Sequence, residues 1–159
     1  NMGYVRAYEP GDEVYLSYCL RKEDRQELEA LSDTAPAEIL REGAMISTPS
    51  CTIVGDSGLT AGMFGAVDEG NGVGKLWLLG TDELVSKQMR LQFIREGRNY
   101  LAGLERMYKV LYNKIDERNT THIKWLRWMG FSFIQRIPEH GVQRLPFLEF
   151  IKLCANQSQ

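Results

Sequence analysis

The chain has 159 residues, of which 43% are hydrophobic and 25% are charged, and its formal net charge is −2. This length and composition predict one globular domain with one apolar core. The small net charge argues against a protein whose whole surface attracts nucleic acid or an anionic membrane. No apolar stretch approaches the ~20 residues that span a bilayer, and no secretory leader is predicted. We therefore expect a cytoplasmic protein.

The three cysteines, Cys19, Cys51 and Cys154, are far apart and form no CxxC pair. This spacing predicts free thiols in a reducing compartment rather than a disulfide framework or a zinc site. Neither His122 nor His140 has a partner at metal-ligand spacing, so the sequence predicts no metal site.

Alternating and helical spacings of apolar residues, separated by turn residues, predict the elements in chain order. They are a strand at Tyr4–Tyr8, a helical region at Asp12–Ser32 interrupted near Lys22, a helix at Ala35–Glu42, strands at Cys51–Val54, Leu59–Val67 and Lys75–Gly80, a helix at Ser86–Tyr108, a strand at Val110–Ile115, a helix at Thr120–Met129, and strands at Phe131–Ile137 and Phe147–Leu153. The unit from Lys75 to Ile115 should be a right-handed parallel crossover. We predict a single domain over residues 1–153 and a polar tail over residues 154–159.

The segment from Asn119 to Phe131 follows a predicted strand and has the residues of a helix with defined ends. Asn119 can cap the helix, Gly130 can end it with a positive φ, and Phe131 can begin a strand that fills the core. The spacing of these three residues, and the order of the elements, resemble the GNAT acyltransferase superfamily. The resemblance implies an α/β (α+β layered) GNAT-like domain with a central mixed, mostly antiparallel sheet of about seven strands and about four helices.

The same resemblance implies an N-acetyltransferase that moves an acetyl group from acetyl-CoA to an amine. The backbone at Leu78–Gly80 would pair with the pantetheine arm, and the Asn119 amide would contact it. The pyrophosphate would lie at the start of the long helix. The residues that the resemblance implies for cofactor binding are Leu78, Leu79, Gly80, Val85, Ser86, Lys87, Gln88, Arg90, Asn119 and Trp125.

Two parts of the chemistry depart from the superfamily's pattern. The loop Thr81–Arg90, where a glycine-rich pyrophosphate site is expected, contains no glycine. Leu126 lies at the position of the usual tyrosine acid and cannot give a proton. A CoA thiolate can leave without an acid, so the loss of the tyrosine weakens the predicted mechanism without excluding it.

The resemblance implies three catalytic candidates, each with a structural alternative. Glu83 lies near the end of a strand and could act as the base, or it could be a solvated carboxylate. Tyr112 could replace the missing acid, or it could pack in the core or at the surface. His122 replaces a usual small residue, and it could act in catalysis or stack on Trp125.

The first helices line the acceptor site in the GNAT fold. Glu23 and Arg25 are therefore expected to contact the amine or a carboxylate of the substrate. The alternative is that the charged side chains of the helix Arg21–Glu29 form a face exposed to solvent.

A second resemblance rests on the Arg25 region, Trp77–Thr81 and His122–Leu126. These segments are similar to a GNAT-related family of bacteriophage proteins that includes internal virion proteins of short-tailed phages. That similarity implies an alternative function, a non-catalytic protein with a structural role in the virion or a host-interaction role. Its location would be the host cytoplasm or the virion. The expected partners are an amine acceptor, small molecule or protein, and a second copy of the chain or a phage or host protein. No membrane partner is expected, and nucleic acid is the least favoured partner.

Overall fold

The computed structural model describes residues 2–154, so residues 155–159 of the predicted tail lie outside the described residues. The elements are β1 (Tyr4–Ala7), α1 (Asp12–Cys19), α2 (Lys22–Leu31), α3 (Pro36–Ile46), β2 (Ser47–Val54), β3 (Thr60–Asp68), β4 (Val73–Gly80), α4 (Lys87–Met107), β5 (Val110–Asp116), α5 (Thr120–Trp128), β6 (Ser132–His140) and β7 (Leu145–Leu153). Each predicted strand and helix is present, although the helix predicted to end at Glu42 ends at Ile46 and the strand predicted to begin at Cys51 begins at Ser47. Cys154, the first residue of the predicted tail, is buried, and its N–H donates to the Lys109 carbonyl.

The helical region that the sequence predicts at Asp12–Ser32 is interrupted as expected, and it forms two helices, α1 and α2. The described residues therefore contain five helices, one more than the approximate number predicted. The interruption has a tertiary cause, because Leu20 leaves the helical conformation and forms an antiparallel bridge with Thr81. The Arg21 N–H also donates to the Gly80 carbonyl, so the α1–α2 junction is fixed to the end of β4.

The seven strands form one sheet in the order β1-β2-β3-β4-β5-β7-β6. All neighbours are antiparallel except β4 and β5, which are parallel and are joined by α4. A parallel pair cannot be joined by a tight turn, and the 21-residue α4 provides the crossover that it needs. The prediction of a mixed, mostly antiparallel sheet is confirmed.

The parallel pair β4 and β5 separates toward its C-terminal ends. Pairing is confined to Val73–Lys75 of β4 and Val110–Tyr112 of β5. Beyond these residues β4 runs on beside β3 to Gly80, whereas β5 runs on beside β7 to Asp116. The two strand ends therefore leave a gap in the sheet, which we call the β4–β5 opening.

The helices cover the two faces of the sheet because successive strand residues point to opposite sides. On β3, Met63 packs with α1, α2 and α3, whereas its neighbour Phe64 packs on the other face, where α4 and α5 lie. The β5 residues Leu111 and Ile115 pack against α4 and α5. No helix in the part of the chain that the structure describes is long and apolar enough to cross a membrane.

The segment from Asn119 to Phe131 adopts the predicted helix-to-strand form, with one difference at its start. Gly130 ends α5 with a φ of 93°, and Phe131 is buried in the core. Asn119 precedes α5, but its side chain makes no capping hydrogen bond. The predicted cap is wrong because the Asn119 side chain is bound by groups on α2.

Candidate functional site

The β4 edge that faces the opening carries peptide groups with different partners. The Gly80 N–H donates to Asp24 Oδ2 at 2.8 Å, and the Gly80 carbonyl accepts from the Arg21 N–H at 2.9 Å. The Leu76 carbonyl accepts from the Asn113 side-chain amide at 2.7 Å. Both ends of this edge are therefore bonded to the protein.

Leu78 lies between these two positions. The register places Gly62 opposite Gly80 and Phe64 opposite Leu78, so the Leu78 peptide groups have the same orientation as those of Gly80. They point away from β3 and into the β4–β5 opening. The resemblance implies that β4 pairs with a ligand. Leu78 is the β4 position whose N–H and carbonyl face the opening in the orientation that such pairing needs.

Four nearly inaccessible polar side chains, Arg21, Asp24, Asn119 and His122, meet beside the opening, and we call them the buried polar cluster. Arg21 Nη1 lies 3.0 Å from Asp24 Oδ1 and 3.0 Å from the Asn119 side-chain carbonyl. The Asn119 amide donates to Asp24 Oδ1 at 2.8 Å. Buried charges require such paired and hydrogen-bonded partners, and the cluster joins α2 to α5 and to the end of β4.

His122 lies at one side of this cluster. Its Nδ1 is 3.5 Å from Asp24 Oδ1, and its Nε2 is 3.5 Å from Arg21 Nη1. Burial lowers the pKa of His122, and Arg21 adds to this effect against the opposing attraction of Asp24. We assign a neutral imidazole with its proton on Nδ1, because a guanidinium can only donate.

Glu27, which is half-buried, lies next to this cluster. Its Oε1 accepts from the Asp116 N–H at 3.0 Å and from the Asn119 amide at 3.4 Å. Burial raises the pKa of Glu27 to about 8, and the nearby carboxylate of Asp24 adds to this rise. A carboxyl group that exchanges its proton near neutral pH is a candidate acid or base.

Two cavities meet at the opening from opposite faces of the sheet. The first, of about 430 Å³, lies under α2 and α3, and Glu27 and His122 are among its lining residues. The second, of about 300 Å³, lies under α4 and has an apolar lining. We call them the α2–α3 cavity and the α4 cavity. Both are lined by Leu76, Trp77, Leu78, Leu126 and Met129.

The loop between β4 and α4 is held by contacts of its own. The Glu83 carboxylate accepts from the Ser57 N–H and hydroxyl at 3.0 and 2.7 Å, which fixes it against the β2–β3 turn. Leu84 is fully buried, and Val85 packs against the same apolar cluster. The Ser86 hydroxyl caps α4 by accepting from the Met89 N–H at 3.4 Å.

The charged and polar residues at the start of α4 lie at the surface. Lys87, Gln88 and Arg90 are exposed, as their predicted role in holding a pyrophosphate requires. The first turn of α4 contains no acidic residue. An anion at this helix start would therefore meet donors and positive charge.

The other candidate residues predicted from the sequence are placed as follows. Tyr112 is the last residue of β5 that pairs with β4, and its hydroxyl donates to Glu69 in the β3–β4 turn. Glu23 forms an ion pair with Arg21 at 3.2 Å, and Arg25 donates to the Ser17 carbonyl at 2.6 Å.

Two more of these residues lie at or beside the opening. Leu79 points to the α1–α3 face, where it packs in the core. Trp125 is buried, with ring centroids 5.2 Å from His122 and 4.2 Å from Phe93. The structure thus brings His122, Asn119 and Trp125 close to Leu78. Glu83 is instead hydrogen-bonded to the β2–β3 turn, and Tyr112 is hydrogen-bonded to the β3–β4 turn.

Sequence reasoning missed Glu27, and it missed the burial of Asp24, because their helix was interpreted as a solvated charged face. A signal was present, since Asp24 and Glu27 precede Leu28 and Leu31 by four residues each. Residues four apart lie on the same helix face, so both carboxylates share the apolar side of α2.

Comparison with solved structures identifies the fold. Phosphinothricin acetyltransferase of Sinorhizobium meliloti, in complex with acetyl-CoA, matches with a TM-score of 0.71 at 13% identity, over 99% of this chain and 91% of that one. Spermidine N-acetyltransferase of Vibrio cholerae, in complex with CoA and spermine, gives 0.70 at 11% identity, over 97% and 96%. Ard1 of Thermoplasma volcanium gives 0.70 at 12% identity, over 98% and 100%. The chain has the fold of the GNAT acetyltransferases, as the sequence predicts.

A narrower similarity concerns the middle of the chain. A family model described as bacteriophage T7, probable scaffold protein Gp13, matches residues 60–137, which run from β3 into β6. This match supports the predicted resemblance to GNAT-like bacteriophage proteins. No curated protein matches the sequence.

Proposed function

We propose that the protein is a GNAT-type N-acyltransferase that transfers an acyl group from a coenzyme A thioester, acetyl-CoA being the simplest donor, to a primary amine. The observation that carries this proposal is the position of Glu27. A carboxyl group with a pKa near 8 lines the same cavity as Leu78, whose peptide groups face the opening between β4 and β5. A proton acceptor and a backbone donor therefore face one cleft.

The residues of the chain fit an acyl-CoA donor at two places. The Leu78 peptide groups can pair with the amides of a pantetheine arm, and exposed Lys87 and Arg90 can meet a pyrophosphate at the start of α4. The chain offers fewer free peptide groups to the pantetheine arm than the superfamily's pattern does, because the Gly80 N–H and carbonyl are already bonded to Asp24 and Arg21. Bound acetyl-CoA would supply the acyl thioester.

The chain's own contribution to the chemistry is proton removal and orientation. Glu27, once ionised, accepts a proton from the amine, and the Leu78 N–H donates a hydrogen bond at the opening. The amine nitrogen forms a bond to the acyl carbon, the carbon–sulfur bond breaks, and the electron pair leaves with sulfur. Leu126 gives no proton, so the thiolate takes its proton from water.

Steady-state transfer from acetyl-CoA to a panel of primary amines tests the assignment of Glu27. The wild-type rate should rise with pH and level off above pH 8, because Glu27 must be ionised to accept a proton. Glu27→Gln keeps the size of the side chain and should lower kcat by about 10²- to 10⁴-fold.

Glu29→Gln is the matched control, because Glu29 lies on the exposed side of the same helix. Its rate and pH profile should equal those of the wild type. Glu27→Gln activity at the wild-type level, or a wild-type rate that is independent of pH between 6 and 9, would contradict the role of Glu27.

A second candidate function, a non-catalytic role in a virion or in contact with a host protein, is favoured by the closed end of the cleft. The Gly80 peptide groups are bonded to α2 and its N-terminal junction, and Asn119 is buried among protein partners. The matching phage family is described as a probable scaffold protein. This candidate predicts an intact fold that binds no CoA thioester, and incorporation of a tagged chain into purified phage particles at a fixed copy number.

A further inference from the structure

The face of α4 that packs on the sheet has a gap between two aromatic residues, Phe93 and Tyr100. Phe93 packs on Trp125, and Tyr100 packs on Phe64. Between them, the residues that line the space below the helix are Glu96 and Gly97. A side chain at Gly97 would have open space, because its Cβ would approach only Met129 Cε, at 3.8 Å.

The α4 cavity fills the space that these residues leave, and its volume is about 300 Å³. An engineered apolar cavity of ~150 Å³ stays dry and binds benzene, so this space is large enough for a hydrocarbon ligand. The lining from the sheet and α5 is hydrocarbon or aromatic and comprises Val5, Ile53, Phe64, Leu76, Trp77, Leu78, Leu126, Met129 and Phe131. The chemistry of the cavity therefore fits an aliphatic chain.

The α4 cavity borders the β4–β5 opening, since Leu76, Leu78 and Leu126 line this cavity and also the α2–α3 cavity on the other face. A donor whose pantetheine arm pairs with Leu78, as in the proposed function, would hold its acyl carbon at this opening. A chain attached to that carbon has a direct route from the opening into the space beneath α4.

The rim of the cavity argues for a chain without a free carboxylate. Glu96 lines the cavity and is exposed, so it would repel a carboxylate at that position. The Gln92 amide donates to the Gly3 carbonyl at 2.6 Å, so that donor is already used. A thioester, whose carbonyl carries no charge, avoids this repulsion.

We propose that the α4 cavity binds the hydrocarbon tail of the acyl donor, and that the preferred donor is a medium-chain acyl-CoA rather than acetyl-CoA. This inference rests on the proposed function and specifies its donor. Gly97 is the residue that determines chain length, because its missing side chain leaves the space in which the tail lies.

Calorimetric titration of acetyl-, butyryl-, hexanoyl- and octanoyl-CoA into the protein tests this proposal without requiring turnover. Each buried methylene contributes about 0.8 kcal/mol, so affinity should rise about tenfold for every two methylenes added. In Gly97→Leu this gain should disappear, while the affinity for acetyl-CoA stays at the wild-type value.

The variant should fold, because leucine is a better helix former than glycine and enters empty space, so the melting temperature should be unchanged or higher. Gly103→Leu is the matched control, since it makes the same change on α4 at a position with nothing within 4 Å of its Cβ and outside the cavity lining. It should keep the dependence on chain length.

The outcomes separate this inference from the proposed function. Equal affinity for all four thioesters, or a gain that persists in Gly97→Leu, overturns the chain-binding role and leaves acyl transfer intact. Failure of every thioester to bind overturns the proposed function and the inference with it.

Discussion

At the scale of single residues, Asp24 is the centre of the buried polar cluster. It accepts hydrogen bonds from Arg21, from the Asn119 amide and from the Gly80 N–H. Among the residues that the structure describes, Asp24→Ala would leave the buried Arg21 with only the half-exposed Glu23 as an ionic partner. Because loss of one member of a buried ion pair leaves an uncompensated charge, we expect a loss of about 3 kcal/mol in the free energy of unfolding.

Urea denaturation measures this loss, and Arg144→Ala is its control. Arg144 pairs with Glu139 in an ion pair whose side chains are both largely exposed. Its removal should change the free energy of unfolding by less than about 0.5 kcal/mol. Equal effects of the two variants would contradict the structural importance of the cluster.

The raised pKa of Glu27 predicts that the free energy of unfolding depends on pH. Its pKa is raised from 4.5 to about 8 in the folded protein, so the folded state keeps a proton that the unfolded state loses in this range. The free energy of unfolding should therefore fall as pH rises from 4.5 to 8, and the full cost should be present above pH 8.

The difference in free energy of unfolding between the wild type and Glu27→Gln isolates this effect, because other titrating groups such as His122 are common to both. Measured by urea denaturation at several pH values, the variant should gain stability relative to the wild type as pH rises toward 8. A difference that does not change with pH would show that Glu27 has an ordinary pKa.

The candidate site shows what the sequence predicts at this scale. The sequence singled out Asn119 and His122 as candidate site residues, but it did not predict their partners. Those partners, Arg21 and Asp24, lie almost one hundred residues earlier in the chain. A contact over such a separation depends on how helices cross the sheet, and one sequence does not specify that.

At the scale of elements, Gly130 at the end of α5 needs a positive φ, whereas the glycines within α4 have helical backbone angles. Gly130 has a φ of 93°, a conformation that side chains disfavour, whereas Gly103 lies in a regular helix. Gly130→Ala should lower the free energy of unfolding by about 1 kcal/mol or more. Gly103→Ala should raise it by about 0.5 to 1 kcal/mol, because alanine has the higher helix propensity.

Thermal unfolding of the two variants measures this difference in sign. The same substitution is made in both, so a general effect of the added methyl group would shift them in the same direction. A stabilising Gly130→Ala would contradict the left-handed end of α5.

Most of the elements were predictable because periodicity and turn residues act locally. The strands at Val110–Ile115 and Lys75–Gly80 were found from their apolar runs, and their parallel pairing followed from the helix between them. Their separation was not predicted, because it depends on which neighbour each strand follows. β4 remains paired with β3 to Gly80, and β5 remains paired with β7 to Asp116.

At the scale of the whole molecule, the sheet separates two kinds of site. The α2–α3 face holds the buried polar cluster and Glu27, and the α4 face holds an apolar cavity. The β4–β5 opening joins the two faces. Under the proposed function, this arrangement would give an amine acceptor and an acyl donor separate approaches to the same position, and acyl transfer from a CoA thioester is the central claim.

The central claim requires that the folded protein bind a CoA thioester. At a hundredfold excess of acetyl-CoA over its Kd, binding to the folded state alone contributes about 2.7 kcal/mol, which should raise the melting temperature by about 5 to 10 °C. The double variant Lys87→Glu with Arg90→Glu should lose this shift, because it reverses the charge at the start of α4. Acidic residues favour a helix start, so the variant should remain folded.

Arg95→Glu is the matched control, since Arg95 is exposed further along the same helix. The most direct measurement is therefore the melting temperature of the wild type, the double variant and this control, with and without millimolar acetyl-CoA. We predict a rise in the wild type and in Arg95→Glu and none in the double variant. The absence of any rise in the wild type, with octanoyl-CoA as well as with acetyl-CoA, would contradict acyl-CoA binding and leave the non-catalytic role.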